Sequence, residues 1–288
     1  MRGPNGDGVT RPAGKPPATS APAPSIRGHW DGAFTGKRTA TADLSLVAPL
    51  QKSKAGGSGS FLASASDGRR YWIKPLNNLQ CERVCITEQV VGRVGQLLGA
   101  PTCAVKTIEI PSALAGWQFH ADENAKLEAG IAHASLETLN AMETRLLERR
   151  RDDSNAARHA YVLALYDLCW GDDAQWLMDV GDEYRFYSHD HGLYFPQGPW
   201  WTVQDLARCI DAPRPYTCDD LDIDRVTVAL IVARLRALTN GELVQALAGI
   251  PTTWPVTDAE LELVGHFILS RAANVATRLE ARFRARAT

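Results

Sequence analysis

Two extended runs, FLASAS and RRYWIKP, flank Asp67-Gly68. Asp-Gly between extended runs is a strong hairpin signal, because both residues tolerate the positive φ that a tight turn needs. The pattern predicts two antiparallel neighbours, preceded by a glycine-rich turn, GGSGS, at residues 56–60. Next comes ITEQVVGRVGQLLG, in which Val90, Val91, Val94, Leu97 and Leu98 recur at helical spacing. Gly99 ends this helix, and Pro101 prevents its continuation. AVKTIEIP then reads as a strand running into Pro111.

The second half reads as mostly helical. Residues 158–170 carry an apolar face and end in GDD, and WLMDVGDEYRFYSHD reads as two short strands around a polar turn. Helices are predicted over 203–209 and 223–238. A final helix begins at a capping box, Thr257-x-x-Glu260, and runs to an arginine-rich end that suits its dipole. The first 26 residues are rich in Pro, Ala, Gly, Thr and Ser, too poor in large apolar groups to offset the entropy of ordering. The expected organisation is a disordered or weakly ordered tail over 1–43, a β-rich lobe over 44–110 and an α-rich lobe over 111–288. The connector between lobes is expected near Glu109–Ser112. The fold class is α+β.

Composition removes several functions. A net charge of −2 gives no global field for nucleic acid or an anionic membrane. No apolar run approaches the roughly 20 residues that span a bilayer. The N-terminal residues lack the apolar stretch of a secretory signal, so a cytoplasmic location is expected. Cys81, Cys85, Cys103, Cys169, Cys209 and Cys218 read as reduced thiols, and the helical Cys81/Cys85 pair lacks the further ligands of a zinc site.

The segment YSHDHGLYFP poses the chemical question, with Asp190 between His189 and His191 and ahead of Gly192. Asp190 is read as the ligand, and the two histidines as packing groups that are not expected to serve one metal ion. A carboxylate at a strand end, with a glycine two residues later, is suited to holding Mg²⁺ in a cleft. Phosphoryl transfer from ATP also needs charge neutralisation along the phosphates and a positioned nucleophile. Candidates follow in order along the chain. Gly56, Gly57 and Gly59 offer backbone free of Cβ atoms, Lys74 ends a half-buried strand, and Glu88 lies on the next helix. In GDDAQWLM, Asp172 or Asp173 is a candidate base and Gln175 a candidate metal ligand through its amide oxygen. Taken singly, each also suits a plain turn, an edge lysine or a solvated acid.

GRRYWIKP followed by TEQVVGRVGQLLGAP, together with SHDHGLYFP, resembles the HipA-like kinases, a bacterial branch of the protein-kinase-like fold related to phosphatidylinositol kinases. The resemblance runs from about Gly56 to Leu279. It implies a bilobal fold with a small β-rich N-lobe and a larger α-helical C-lobe. It also implies that Lys74 contacts ATP phosphates, Glu88 supports it, Asp190 holds Mg²⁺, and a connector near Glu109–Pro111 contacts adenine. The expected activity is transfer of the γ-phosphoryl group to a hydroxyl, on a protein Ser/Thr or a small molecule, with a regulatory protein partner. One departure stands out: WGDDAQWLM is shorter than the usual catalytic loop, with Gln175 in place of an asparagine and no Arg-His. The alternatives are a pseudokinase that binds nucleotide or a partner without catalysis, and a metal-dependent hydrolase centred on SHDHG. Trp200 and Trp201, just after that motif, are read as core aromatics in preference to a recognition surface.

Overall fold

In the computed structural model, residues 30–52, 57–218 and 220–284 are described. Strand β1 (Leu44–Lys52) pairs antiparallel with β2 (Phe61–Ala65), which pairs with β3 (Arg70–Lys74) across the Asp67-Gly68 turn. Asp67 fixes that turn by accepting from the Arg69 backbone at 3.0 Å and from the Tyr71 hydroxyl at 2.8 Å. Helix α1 (Arg83–Leu98) follows and ends at Gly99 as expected. Strands β4 (Val105–Ile110) and β5 (Gly130–Leu136) complete a closed barrel in the order β1-β2-β3-β5-β4. Parallel pairing of Leu44 with Ile108 and Ser45 with Glu109 shuts it. Phe61, Tyr71, Ile73, Ile108, Phe119 and Ala132 fill its interior.

Helix α1 does not share that interior. Its Cys85, Ile86, Val90 and Val91 belong to the core of the helical half. There they join α2 (Asn155–Leu168), α4 (Arg225–Ala237), α5 (Asn240–Leu247) and the long α6 (Asp258–Arg284). A second sheet, in the order β6-β7-β8, is formed by β6 (Ala141–Thr144), β7 (Gln175–Asp179) and β8 (Arg185–His189). Ser188 of β8 donates its backbone N–H to Pro101 at 2.8 Å, tying this sheet to the chain that leaves α1. Helix α3 (Val203–Cys209) sits where the sequence predicts it, and the box at Thr257 and Glu260 is formed, with Glu260 N–H donating to the Thr257 hydroxyl at 3.2 Å.

Two boundaries differ from the sequence expectation. The connector is not at Glu109–Ser112, because the chain returns through β5 to lie between β3 and β4. It leaves the barrel only after residue 136. At the other end, residues 1–29 lie outside the described residues, but packing begins well before residue 44. Trp30 and Phe34 are buried in the helical core.

Candidate functional site

Strand alternation decides where Lys74 points. Tyr71 and Ile73 face the barrel core, so Lys74 emerges on the other side, against α1. Its ammonium donates to Glu88 Oε1 and to Asp190 Oδ1. Glu88 Oε2 accepts the backbone N–H of His191 at 3.0 Å. The pair predicted by spacing and the acid of the DHG triplet thus meet around one buried lysine. Burial opposes the charge on Lys74, but Asp190 and Glu88 outweigh it and hold the ammonium well above its ordinary value. The same lysine holds the Asp190 carboxyl well below the usual carboxylate range. Two carboxylates around one ammonium leave an excess negative charge, which suits a divalent cation.

Gly192 follows from this packing. A Cβ there would lie 2.6 Å from Val84 Cγ1 and 3.4 Å from Glu88 Oε1, so only glycine lets the chain after Asp190 approach α1 this closely. His191 is buried and His189 half-buried, and burial lowers each to about 4, so they are neutral at pH 7. His191 hydrogen-bonds Ser188 Oγ at 2.9 Å.

Gln175 begins β7 opposite His189. Its Nε2 donates to Asp190 Oδ2 at 3.1 Å and to Asp173 Oδ2 at 3.0 Å. The amide oxygen makes no hydrogen bond among the described residues and remains a hard donor for a cation. Asp173 is also ion-paired with Arg145. Asp172 turns the other way, with 60% of its side chain exposed and Oδ1 3.2 Å from Arg214 Nη2. The two candidate bases therefore face different surroundings. Mg²⁺ fits the donor set, because it is commonly held by one or two carboxylates with nucleotide oxygens and water completing the shell. Among the described residues, no group of three or more His, Cys, Asp or Glu side chains is arranged for a metal.

Of the glycine loop, Gly56 lies outside the described residues, while Gly57 and Gly59 fall between β1 and β2. Gly59 has φ +68°, and a Cβ there would sit 3.0 Å from the Phe119 ring, which gives this glycine a packing reason of its own. Trp170, Asp173, Asp190, Phe195 and Gln197 also have positive φ. Such conformations cost on the order of 1 kcal/mol or more each and persist where surrounding structure enforces them.

Sequence reasoning missed Arg145, Arg214 and His133. The last pairs with Gln89 Nε2 at 3.1 Å and lies opposite Lys74 in the sheet. Trp201 is buried as expected, but Trp200 is 61% exposed. A cavity of about 520 Å³ lies beside Asp172, lined by Trp170, Phe195, Gln197, Trp200 and Arg214 among others. Cys81, Cys85, Cys103, Cys169, Cys209 and Cys218 are not joined in disulfides among the described residues. No helix of the described residues is long and apolar enough to cross a membrane.

A five-stranded barrel, a helix supplying a glutamate to a strand lysine, and a helical lobe are the architecture of the protein-kinase-like fold. The chain is similar to the Helicobacter pylori proinflammatory kinase CtkA, with TM-score 0.51, 9% identity, and coverage of 83% of this chain and 96% of that one. The Golgi casein kinase with Mn/ADP bound overlays more loosely, with TM-score 0.45, 8% identity, and coverage of 88% and 77%. No curated protein matches the sequence. Residues 47–167 match the model of the family described as HipA-like kinase. The match includes Lys74 and Glu88 and ends before Asp172 and Asp190.

Proposed function

We propose that this chain is an ATP- and Mg²⁺-dependent kinase that transfers the γ-phosphoryl group to a hydroxyl, with a protein Ser/Thr as acceptor. The observation that carries the reading is the shared Lys74, bonded at once to Glu88 and Asp190. Lys74 is the one strongly anchored cation of the triad, and its ammonium would turn from Asp190 toward phosphate oxygens while Glu88 keeps it in place. Asp190 and the Gln175 amide oxygen would hold Mg²⁺, which neutralises charge on the phosphates. The backbone around Gly57 and Gly59 would lie over them. Adenine would sit against the backbone of residues 137–140, where the chain leaves the barrel.

The loop acids divide the remaining work. Asp173 is tied through Gln175 to Asp190 and belongs to the metal side. Asp172 opens onto the cavity and is the better base, since a base must lie within hydrogen-bond reach of the incoming hydroxyl. Calorimetric titration with ATP, with and without Mg²⁺, tests the reading. Binding should require the metal, and Asp190→Ala should weaken it on the order of 100-fold while the fold survives. Equal affinity in wild type and variant would remove Asp190 from the metal site.

A further inference from the structure

The cavity beside Asp172 is assembled from three segments that the sequence keeps apart. Trp170 and Asp172 come from the turn after α2, Phe195, Gln197 and Trp200 from the chain after Asp190, and Arg214 from the loop after α3. Two of its features are unexplained by folding alone. The first is Trp200, which is largely exposed although its neighbour Trp201 is buried with the Arg83 guanidinium 4.1 Å above its ring. The second is Arg214, whose Nε donates to the Gly171 carbonyl at 2.6 Å and whose backbone N–H donates to Asp167 Oδ1 at 3.1 Å. Its guanidinium also lies 5.6 Å from the Trp170 ring. The group is thus fixed from behind and reaches the cavity, where a single contact to the exposed Asp172 occupies it. An ion pair with one open partner contributes little and is readily exchanged. An arginine held in this way is suited to a carboxylate that offers both oxygens.

We infer that this cavity is the acceptor site, and that it takes a serine or threonine peptide with an acidic side chain close to the hydroxyl. Arg214 pairs with that acid and releases Asp172 to receive the hydroxyl proton. The inference rests on the kinase reading above and adds the substrate class to it. The hydroxyl oxygen bonds to the γ-phosphorus, and the bond to the bridging oxygen breaks with its electron pair leaving on ADP. The proton passes to Asp172. Trp200 supplies a flat apolar surface for the peptide. A neutral sugar would also stack on tryptophan, but it carries no anion for Arg214.

Fluorescence anisotropy with labelled serine peptides tests this without requiring turnover. The peptides are identical except for glutamate or glutamine at each position within three residues of the serine. They are titrated against the full chain, alone and with Mg²⁺ and a non-hydrolysable ATP analogue. At one or more positions glutamate should strengthen binding about tenfold, the worth of a charge-assisted pair. Arg214→Gln should erase that preference, with circular dichroism unchanged, and Trp200→Ala should weaken both peptides alike. Equal binding of all peptides to wild type, a preference that survives Arg214→Gln, or displacement of the peptide by a neutral sugar would each overturn the assignment. ATP titration of the same samples separates the two readings. A glutamate preference without ATP binding refutes the kinase and leaves the peptide site standing. ATP binding without the preference refutes the peptide site alone.

Discussion

Lys74 and His133 face each other across β3 and β5, and their charges are linked. Burial first, and the nearby Lys74 second, lower His133 to about 3 from an ordinary 6.5. Between these values the unfolded chain binds a proton that the native chain does not, so native stability falls as pH drops below 6.5. His133 contributes up to about 1.4 kcal/mol per pH unit to that fall. His133→Gln keeps an acceptor for Gln89 and removes the titrating ring. Urea unfolding at pH 7 and pH 5 should therefore show a shallower pH dependence in the variant, and an unchanged dependence would refute the buried neutral state. The residues that meet around Lys74 were legible where one local motif carried each of them. Lys74, Glu88 and Asp190 were each marked by a strand end, a helix position or a glycine triplet. Arg145 and Arg214 were not, because tertiary packing alone brings them to Asp173 and Asp172. Arg271 does leave a trace in the sequence: an arginine on the same helical face as Phe267, Ile268 and Val275. It is fully buried, with Nη2 bonded to Asp167 Oδ1 at 2.8 Å.

At the scale of elements, the approach of α1 to the chain after Asp190 sets the geometry of the triad. Gly192→Ala would drive a methyl into Val84 at 2.6 Å, and the helix carrying Glu88 would have to move. Overpacking of this kind costs about 1–3 kcal/mol. We expect Gly192→Ala to lower the urea midpoint and weaken Mg-ATP binding together, and Val84→Ala in the same chain to restore part of both. A Gly192→Ala protein with unaltered stability and affinity would show that this approach is not required. Elements were well predicted where a turn or cap announced them, as at Asp67-Gly68, Gly99 and Thr257. Strand β5 was missed for a physical reason. Its GIAHASL run is buried on both faces, with small residues and a buried histidine, so no apolar alternation signals a strand. With β5 unseen, the connector was placed one strand too early.

Residues 30–38, which fall within the expected disordered or weakly ordered tail over 1–43, anchor the helical half. Phe34 is fully buried, and Trp30 packs against Gly265, where a Cβ would meet its ring at 2.3 Å. Arg38 donates to the carbonyls of Ile250 at 3.0 Å, Pro251 at 2.7 Å and Val256 at 3.0 Å, and to Asp258 Oδ1 at 2.7 Å. These groups close the turn that enters α6. The lobes are also joined by Arg83, which pairs with Glu260 of α6 at 2.7 Å, and by Trp254, whose indole N–H donates to Ile131 at 3.0 Å. The chain that enters α6 is therefore tied to both α1 and β5. Phe34→Ala should cost about 3–5 kcal/mol, the usual loss for a buried phenylalanine. Arg38→Ala should cost about 1–3 kcal/mol, because it strands three carbonyls while the half-exposed Asp258 is taken up by water. A chain beginning at residue 44 should lose all of these contacts at once and unfold at far lower urea than either single variant. Midpoints equal to wild type in all three would mean that residues 30–43 merely rest on the helical core, and the barrel with α1 would then have to hold its place beside α6 through Arg83 and Trp254.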